Sequence, residues 1–111
     1  MASDAVVHGL PAGDLEGTEA FRAFHAAFNG VFSEISVTVE RTIEDSESVA
    51  AWCKARMTHR ETGKVTEFNG AVIGTFRDGM IQESWDCWNF LGLLTQLGTV
   101  DAAVVEATFS P

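Results

Sequence analysis

The chain has 111 residues and a mass of 12.0 kDa, the size of one domain, so we treat residues 1–111 as a single folding unit. Hydrophobic residues make up 46% and charged residues 21%, values that are typical of a folded globular protein and argue against disorder. Sixteen Asp and Glu stand against seven Lys and Arg, and the formal net charge of −9 makes nucleic acid and anionic membranes unfavourable partners.

Hydropathy and cysteine usage predict a cytoplasmic protein. No stretch approaches the roughly 18 apolar residues of a membrane span, and Met1–Asp4 lacks the basic and apolar regions of a secretory signal. Cys53 and Cys87 are far apart and form no CxxC motif, which disfavours a zinc or redox site. We expect two buried free thiols, as is usual in a reducing compartment.

The first third of the chain predicts a strand, a loop and a helix. Residues 4–9 are rich in β-branched side chains, and a Pro and a Gly in residues 10–14 mark the loop. Thr18 is the predicted N-cap of a helix that ends near Asn29 and Gly30. Along it, steps of three and four residues place one aromatic series on a single helix face: Phe21, Phe24, Phe28 and Phe32.

The rest of the chain predicts four strands and a helical C-terminal region. Apolar and polar residues alternate in 35–44, 49–59, 65–76 and 80–89, and turn residues separate these segments. Residues 90–97 predict a short helix. Asp101 could cap a helix over 102–108, but Val104 and Val105 fit a strand equally well.

This order of elements predicts an α+β domain. Strands joined by tight turns form a curved antiparallel sheet, and the helix packs on its concave face. Phe21, Phe24 and Phe28 would then fill the concave side.

Four segments in this order carry a family resemblance: Val6–Gly9, Leu15–Phe24, Phe76–Asn89 and Leu93–Gly98. With them the chain resembles the nuclear transport factor 2-like superfamily, and most closely its SnoaL-like polyketide cyclase (ester cyclase) branch. The resemblance implies a cone-shaped sheet, a cystatin-like α+β barrel. Family members usually begin with about two helices that close the cone, and this chain lacks them. Either the cavity is more open, or residues 100–109 or a partner subunit cover it.

The resemblance also implies the central residue of a site. In ester cyclases, the strand after the hairpin glycine carries an inward carboxylate, the general acid and base of an intramolecular aldol condensation, and Asp86 occupies that place. A carboxylate that faces an apolar cavity loses hydration, which favours its protonated form and suits it to shuttle a proton. His8 is the second catalytic candidate, because imidazole titrates near neutral pH, although the face on which it lies stays open.

Alternation places Ser84 and Trp88 on the same face as Asp86. Together with Met57, Phe68 and Phe24, they would shape an apolar cavity for a cyclic or polyketide-like substrate. The sequence therefore predicts a small-molecule enzyme of cyclase or isomerase type. The alternative is a non-catalytic shell of the same fold that binds a small ligand or oligomerises.

Several other activities are disfavoured by the residues present. The histidines do not have metal-ligand spacing and no phosphate-binding glycine loop occurs, so we expect no metal and no cofactor. Epoxide hydrolases of related fold need an Arg and an Asp where this chain has Cys53 and Ala55. Ketosteroid isomerase-like enzymes need a Tyr on a first helix, and an Asp where Gly9 stands, but the chain has no Tyr.

The other face of the sheet suggests self-association. Trp85 and Trp52 share it, and in this fold that face commonly supports dimers, so we expect a homodimer.

Overall fold

The computed structural model describes residues 1–11 and 13–110. The elements in chain order are β1 (Val6–His8), β2 (Leu15–Glu16), α1 (Thr18–Val31), β3 (Phe32–Glu44), β4 (Ser48–His59), β5 (Val65–Arg77), β6 (Met80–Trp88), α2 (Phe90–Leu97) and α3 (Ala102–Phe109). The predicted α+β class with a curved sheet is confirmed. The two-residue strand β2 was not predicted, because so short a segment carries no periodic signal.

The six strands form one open sheet in the order β2-β1-β6-β5-β4-β3. Tight turns join β3 through β6 as antiparallel neighbours, but β1 runs parallel to β6 and pairs Val7 with Ser84. The sheet is therefore mixed, not purely antiparallel as the sequence predicted. Since β2 and β3 lie at opposite edges, the sheet curves without closing into a barrel.

Helix α1 follows from the Phe spacing, but its ends differ from the prediction. Its N-cap is Gly17 at φ 86°, with no side-chain hydrogen bond, and Thr18 is the first helical residue. The Thr18 hydroxyl instead donates to the carbonyl of Ala2 at 3.4 Å. Asn29 and Gly30 lie within the last turn, and the helix continues directly into β3 at Phe32.

The core lies between the concave face of the sheet and α2. Its buried members are Phe32, Ala55, Met57, Phe68 and Leu93. A side-chain amide anchors α2: the Gln96 carbonyl accepts from the Glu67 backbone N–H at 3.0 Å, and its NH₂ donates to the Glu67 carbonyl at 2.7 Å. This stretch of β5 extends beyond its pairing with β6, so Gln96 takes the place of a missing strand neighbour.

The C-terminal segment is a helix, which decides between the two predicted alternatives. The Asp101 side chain accepts from Ala103 N–H at 2.9 Å as an N-cap. Helix α3 contributes no residue to the two main hollows of the concave face, and Val104 and Phe109 are exposed. Residues 102–109 therefore do not cover the concave side, which was one of the expected alternatives.

Among the described residues, no helix is long and apolar enough to cross a membrane.

Candidate functional site

The concave face contains an apolar hollow of about 260 Å³ between α1, the sheet and α2. Its walls include four of the residues predicted to line a cavity: Phe24, Met57, Phe68 and Trp88. Asp86 also lines it and is the one ionisable side chain to do so within residues 1–11 and 13–110. The alternation of β4, β5 and β6 turns Met57, Phe68 and Trp88 toward the hollow, and Phe24 reaches it from α1.

Two neighbours on the same strand fix the half-buried carboxylate of Asp86. The Ser84 hydroxyl donates to Oδ1 and the Trp88 indole Nε1–H donates to Oδ2, each at 3.2 Å. Ser84 is itself buried, and it lines an adjacent hollow instead of the first one. Each carboxylate oxygen thus has one fixed donor, which orients the group toward the concave side.

Aromatic packing shapes the wall beside Asp86. Trp88 meets Phe68 edge to face, with ring centroids 5.9 Å apart, and Phe24 stacks on Phe28 at 5.8 Å. A Cβ added to Gly70 would lie 2.3 Å from atoms of the Trp88 ring, so the indole rests directly on the glycine backbone. Gly70 was not predicted as part of the site, although a glycine inside a strand indicates such a close approach.

Gly9 positions the backbone of Asp86. Its φ is 88°, and a Cβ there would lie 1.8 Å from the Asp86 carbonyl oxygen. Only glycine permits both this backbone angle and this contact. The chain after β1 therefore rests on β6 at the candidate catalytic residue.

The structure does not bring His8 to Asp86. In the parallel pairing of β1 with β6, Val7 lies beside Ser84 on the concave side, whereas His8 lies beside Trp85. Adjacent strand residues point to opposite faces, so His8 lies on the convex face. The face of His8, which the sequence left open, is therefore the one opposite Asp86.

On the convex face, His8 lies between two carboxylates. Its Nδ1 is 2.7 Å from Asp14 Oδ2, and its Nε2 is 2.5 Å from Glu83 Oε2. The ring also stacks on Trp85 at 5.6 Å. The hydrogen bonds to Glu83 and Asp14 raise the pKa of His8, and the bond to His8 lowers the pKa of Asp14. These contacts tie the β1–β2 connection to β6.

The two cysteines differ in environment. Cys53 is buried as predicted, and burial raises the pKa of its thiol. Cys87 is exposed on the convex side, so the prediction that both are buried is wrong for this residue. In the part of the chain that the structure describes, no group of three or more His, Cys, Asp or Glu is arranged to hold a metal ion.

The first hollow is open along the edge strand β3. Ile35 and Val37 line it, yet their side chains remain 36% and 53% exposed. The next inward residue, Val39, is 55% exposed. This apolar edge lies on the concave side, where no element of the described chain covers it.

The fold and the hollow define a class of protein: the ketosteroid isomerase-like α+β fold with an apolar concave site. Within that class, the profile of the SnoaL-like polyketide cyclases matches residues 1–97. The chain therefore belongs to the SnoaL-like polyketide cyclase family. No curated protein matches the chain significantly.

Solved structures agree with this placement. IdmH from Streptomyces antibioticus, a proposed polyketide cyclase, is 28% identical with a TM-score of 0.74, over 88% of this chain and 81% of IdmH. A proposed SnoaL-like polyketide cyclase from Jannaschia sp. CCS1 is 18% identical with a TM-score of 0.80, over 90% of this chain and 74% of its own. TsrD from Streptomyces laurentii is 20% identical with a TM-score of 0.78, over 89% of this chain and 78% of TsrD. The last two likenesses concern the fold alone.

Proposed function

We propose that the protein is a small-molecule enzyme of cyclase or isomerase type, in which Asp86 acts as general acid and base on an apolar ketone. The observation that carries this proposal is the position of Asp86 as the one ionisable side chain, among the described residues, on the wall of the first hollow. Family membership and the similarity to IdmH support the reaction class. The apolar walls suit an apolar cyclic molecule, and family membership is the reason to propose a polyketide-like one.

The chemistry needs one carboxylate used twice. Asp86 removes a proton from the carbon next to a ketone, and the resulting enolate carbon attacks a second carbonyl of the same molecule. One C–C bond forms, and the new alkoxide takes the proton back from Asp86. An isomerase would instead return the proton to a different carbon. In both cases the carboxylate is regenerated and no cofactor is consumed.

The contacts of Asp86 suit this role. The hydrogen bonds from Ser84 and Trp88 hold the carboxylate in one orientation. The Asp86 side chain therefore does not have to change rotamer before proton transfer. On the Asp86 side of the hollow, the aromatic walls formed by Trp88 and Phe68 shield a bound ligand from water, which strengthens electrostatic interactions there.

One observation favours the alternative of a non-catalytic binding shell. The exposure of Val37 leaves the hollow open to solvent at the β3 edge, and an open site excludes water poorly. The two functions differ in one measurable property, because a shell binds an apolar ketone without moving a proton.

The test measures proton exchange on a simple ketone. In D₂O, the protein should accelerate deuterium uptake at C2 of 1-tetralone, followed by proton NMR, and Asp86→Asn should lower that rate by about 10²- to 10⁴-fold. The Asn side chain fits the site, because its oxygen can accept from Trp88 while its NH₂ donates to the Ser84 hydroxyl. An equal rate in the variant would refute the proposal, and binding without exchange in either protein would favour the shell.

A matched control separates the site from the loss of one charge. Asp78 lies in the β5–β6 hairpin at φ 53°, exposed and outside both hollows. Asparagine tolerates this backbone angle, so Asp78→Asn makes the same chemical change without touching the hollow. Its exchange rate should equal that of the unmodified protein.

We also propose that two copies pair through the convex face of the sheet, in the cytoplasm. Trp52, Ile73 and Trp85 are 49%, 47% and 42% exposed there, an apolar centre without a partner in one chain. Arg56 and Glu67, 3.6 Å apart, place both signs of charge on the same face. Such a surface can complement itself about a two-fold axis, which favours a second copy over an acidic or basic partner.

A further inference from the structure

The connection between β1 and β2 joins the convex face of the sheet to the concave hollow. At its start, His8 lies between the two carboxylates of the convex face. Gly9 then rests on the backbone of Asp86, and Leu10 lines the first hollow. The chain thus passes from the convex contacts to the wall of the proposed site within three residues. The proposed reaction as described so far gives His8 no part.

Both ring nitrogens of His8 are held, and their partners lie on different elements. Nδ1 contacts Asp14, just before β2, and Nε2 contacts Glu83 on β6. A protonated imidazole has two N–H groups and donates to both carboxylates, whereas a neutral imidazole has only one N–H group. With the neutral ring, one carboxylate therefore faces a nitrogen lone pair, and only the protonated ring holds both partners at once.

The surroundings of the ring favour its protonated form. Within residues 1–11 and 13–110, the charged groups that contact the ring are the two carboxylates, one from the β1–β2 connection and one from β6. Trp85 stacks on the ring of His8 and carries no charge. Glu16, on β2, shares the convex face but pairs with Val6. The ring is thus faced by negative charge from both neighbouring elements.

Asp14 draws the connection toward β1. The bond to His8 lowers the pKa of the Asp14 carboxyl, and the nearby backbone N–H of Gly9 lowers it further. The Leu10 carbonyl accepts from the Gly13 N–H at 3.0 Å, which closes the connection into a turn. A movement of Asp14 away from His8 would therefore also move Gly9 and Leu10.

The strand that carries His8 has few backbone contacts of its own. β1 is three residues long, and β2 on its outer side has two. Two contacts transmit its position to Asp86. Gly9 touches the Asp86 peptide, where an added Cβ would lie 1.8 Å from the carbonyl oxygen. Val7 pairs with Ser84, whose hydroxyl donates to Asp86 Oδ1.

We infer that His8 is a positioning residue for the proposed proton transfer: in its protonated form it holds the β1–β2 connection on β6, and through Gly9 it sets the position of Asp86. The inference rests on the proposed function and adds a pH dependence to it. Loss of the ring proton releases one of the two carboxylates. The backbone beneath Asp86 and the wall at Leu10 are then held less firmly.

The pH profile of deuterium uptake by 1-tetralone tests this inference. After subtraction of the uncatalysed rate, kcat should fall by about ten-fold between pH 6 and 9, because a misplaced catalytic group reacts more slowly. The midpoint should match the pH at which the His8 ring resonances titrate. A base alone gives no such decrease, since it is more fully deprotonated at higher pH. A kcat that does not fall over this range would overturn the inference.

Asp14→Asn separates the contact from other titrations. The Asn NH₂ can donate to the unprotonated ring nitrogen while the ring N–H donates to Glu83, so a neutral His8 keeps both partners. This variant should have the same kcat at pH 6 and pH 9. His8→Gln should give a low kcat at every pH, and the control Asp78→Asn should keep the decrease. A decrease in Asp14→Asn equal to that of the unmodified protein would overturn the inference.

The positioning can also be followed without turnover. In the unmodified protein, the Asp86 carbonyl ¹³C resonance and the Leu10 methyl resonances should titrate together with the His8 ring. In Asp14→Asn they should stay constant. If no exchange occurs at any pH, the proposed function is refuted, and this common titration keeps the link from His8 to the carboxylate. Exchange at a constant rate, with an Asp86 carbonyl resonance that does not follow His8, would keep the enzyme and refute the positioning.

Discussion

The Trp88 indole rests on the backbone of Gly70, so closely that a methyl group on Gly70 would lie 2.3 Å from its ring atoms. The same indole donates to Asp86 Oδ2 at 3.2 Å. The bare glycine therefore holds the donor that orients the carboxylate, although it touches neither the carboxylate nor a ligand.

Gly70→Ala should displace the indole and break its bond to Asp86. We expect a loss of about 1–3 kcal/mol in the free energy of unfolding, as is typical of overpacking, and a change in the indole N–H resonance of Trp88. Gly74→Ala is the control on the same strand and face, since its new Cβ meets nothing closer than 3.9 Å. Its stability should stay equal or rise by up to about 1 kcal/mol. Similar losses in both variants would contradict the account.

Gly9→Ala should destabilise more severely, because the new Cβ would lie 1.8 Å from the Asp86 carbonyl oxygen and the backbone has φ 88°. Gly13 shares a positive φ, 101°, but a Cβ there meets nothing within 4 Å. Gly13→Ala therefore measures backbone strain alone, about 1–3 kcal/mol. Denaturant unfolding should show a loss at Gly9 at least about 2 kcal/mol larger. Equal losses would mean that the contact between Gly9 and Asp86 contributes nothing.

The His8 contacts should make stability depend on pH. The bonds to Glu83 and Asp14 raise the pKa of His8 in the folded state above its ordinary 6.5. The stabilisation that His8 gives the folded state is therefore fully present below pH 6.5, and it is lost as the pH rises through the raised pKa of His8. The difference in Tm between the unmodified protein and His8→Gln should be positive at pH 6 and shrink toward pH 9.

The fluorescence of Trp85, which stacks on His8, should follow the same transition. At acidic pH, the bond to His8 lowers the pKa of Asp14 below 3.8. The stabilisation from Asp14 is therefore lost as the pH falls through this lowered pKa. A Tm difference that does not change between pH 6 and 9 would show that these contacts are not formed in solution.

Pairing of two copies through the convex face should protect Cys87. This thiol is exposed in the single chain and its residue lies on the face of Trp85 and Trp52. We expect slow alkylation at micromolar concentration and faster alkylation on dilution, with a matching dimer-to-monomer change in sedimentation. Trp52→Ser should give a monomer with a rapidly modified Cys87. A monomer in the unmodified protein at micromolar concentration would contradict the pairing.

Local patterns in the sequence were sufficient for most elements. The spacing of Phe21, Phe24 and Phe28 predicted α1, and alternation predicted β3 to β6, because both signals depend on neighbouring residues alone. The inward position of Asp86 came from the family resemblance, since alternation groups it with Ser84 and Trp88 without saying which face is concave.

Features that depend on distant pairing could not be predicted. The face of His8 depends on the parallel register of β1 with β6, which joins residues far apart in the chain. Val37 on the edge strand is exposed because no element of the described chain covers it. Periodicity predicts the strand that carries Val37, but it does not predict whether another element packs on that strand. At Gly70 and Gly74 the sequence did carry a signal, because a glycine inside a strand often marks the close approach of another group.

The central claim is that the carboxyl group of Asp86 lies at an apolar surface to which apolar molecules bind. Dicyclohexylcarbodiimide, an apolar reagent for carboxylic acids, should test it by peptide mass mapping across all 16 Asp and Glu residues. We predict that modification concentrates at Asp86 and is prevented by 1-tetralone, while a water-soluble carbodiimide modifies the exposed acids instead. Modification spread over the surface carboxylates, with Asp86 no more reactive than Asp78, would contradict it.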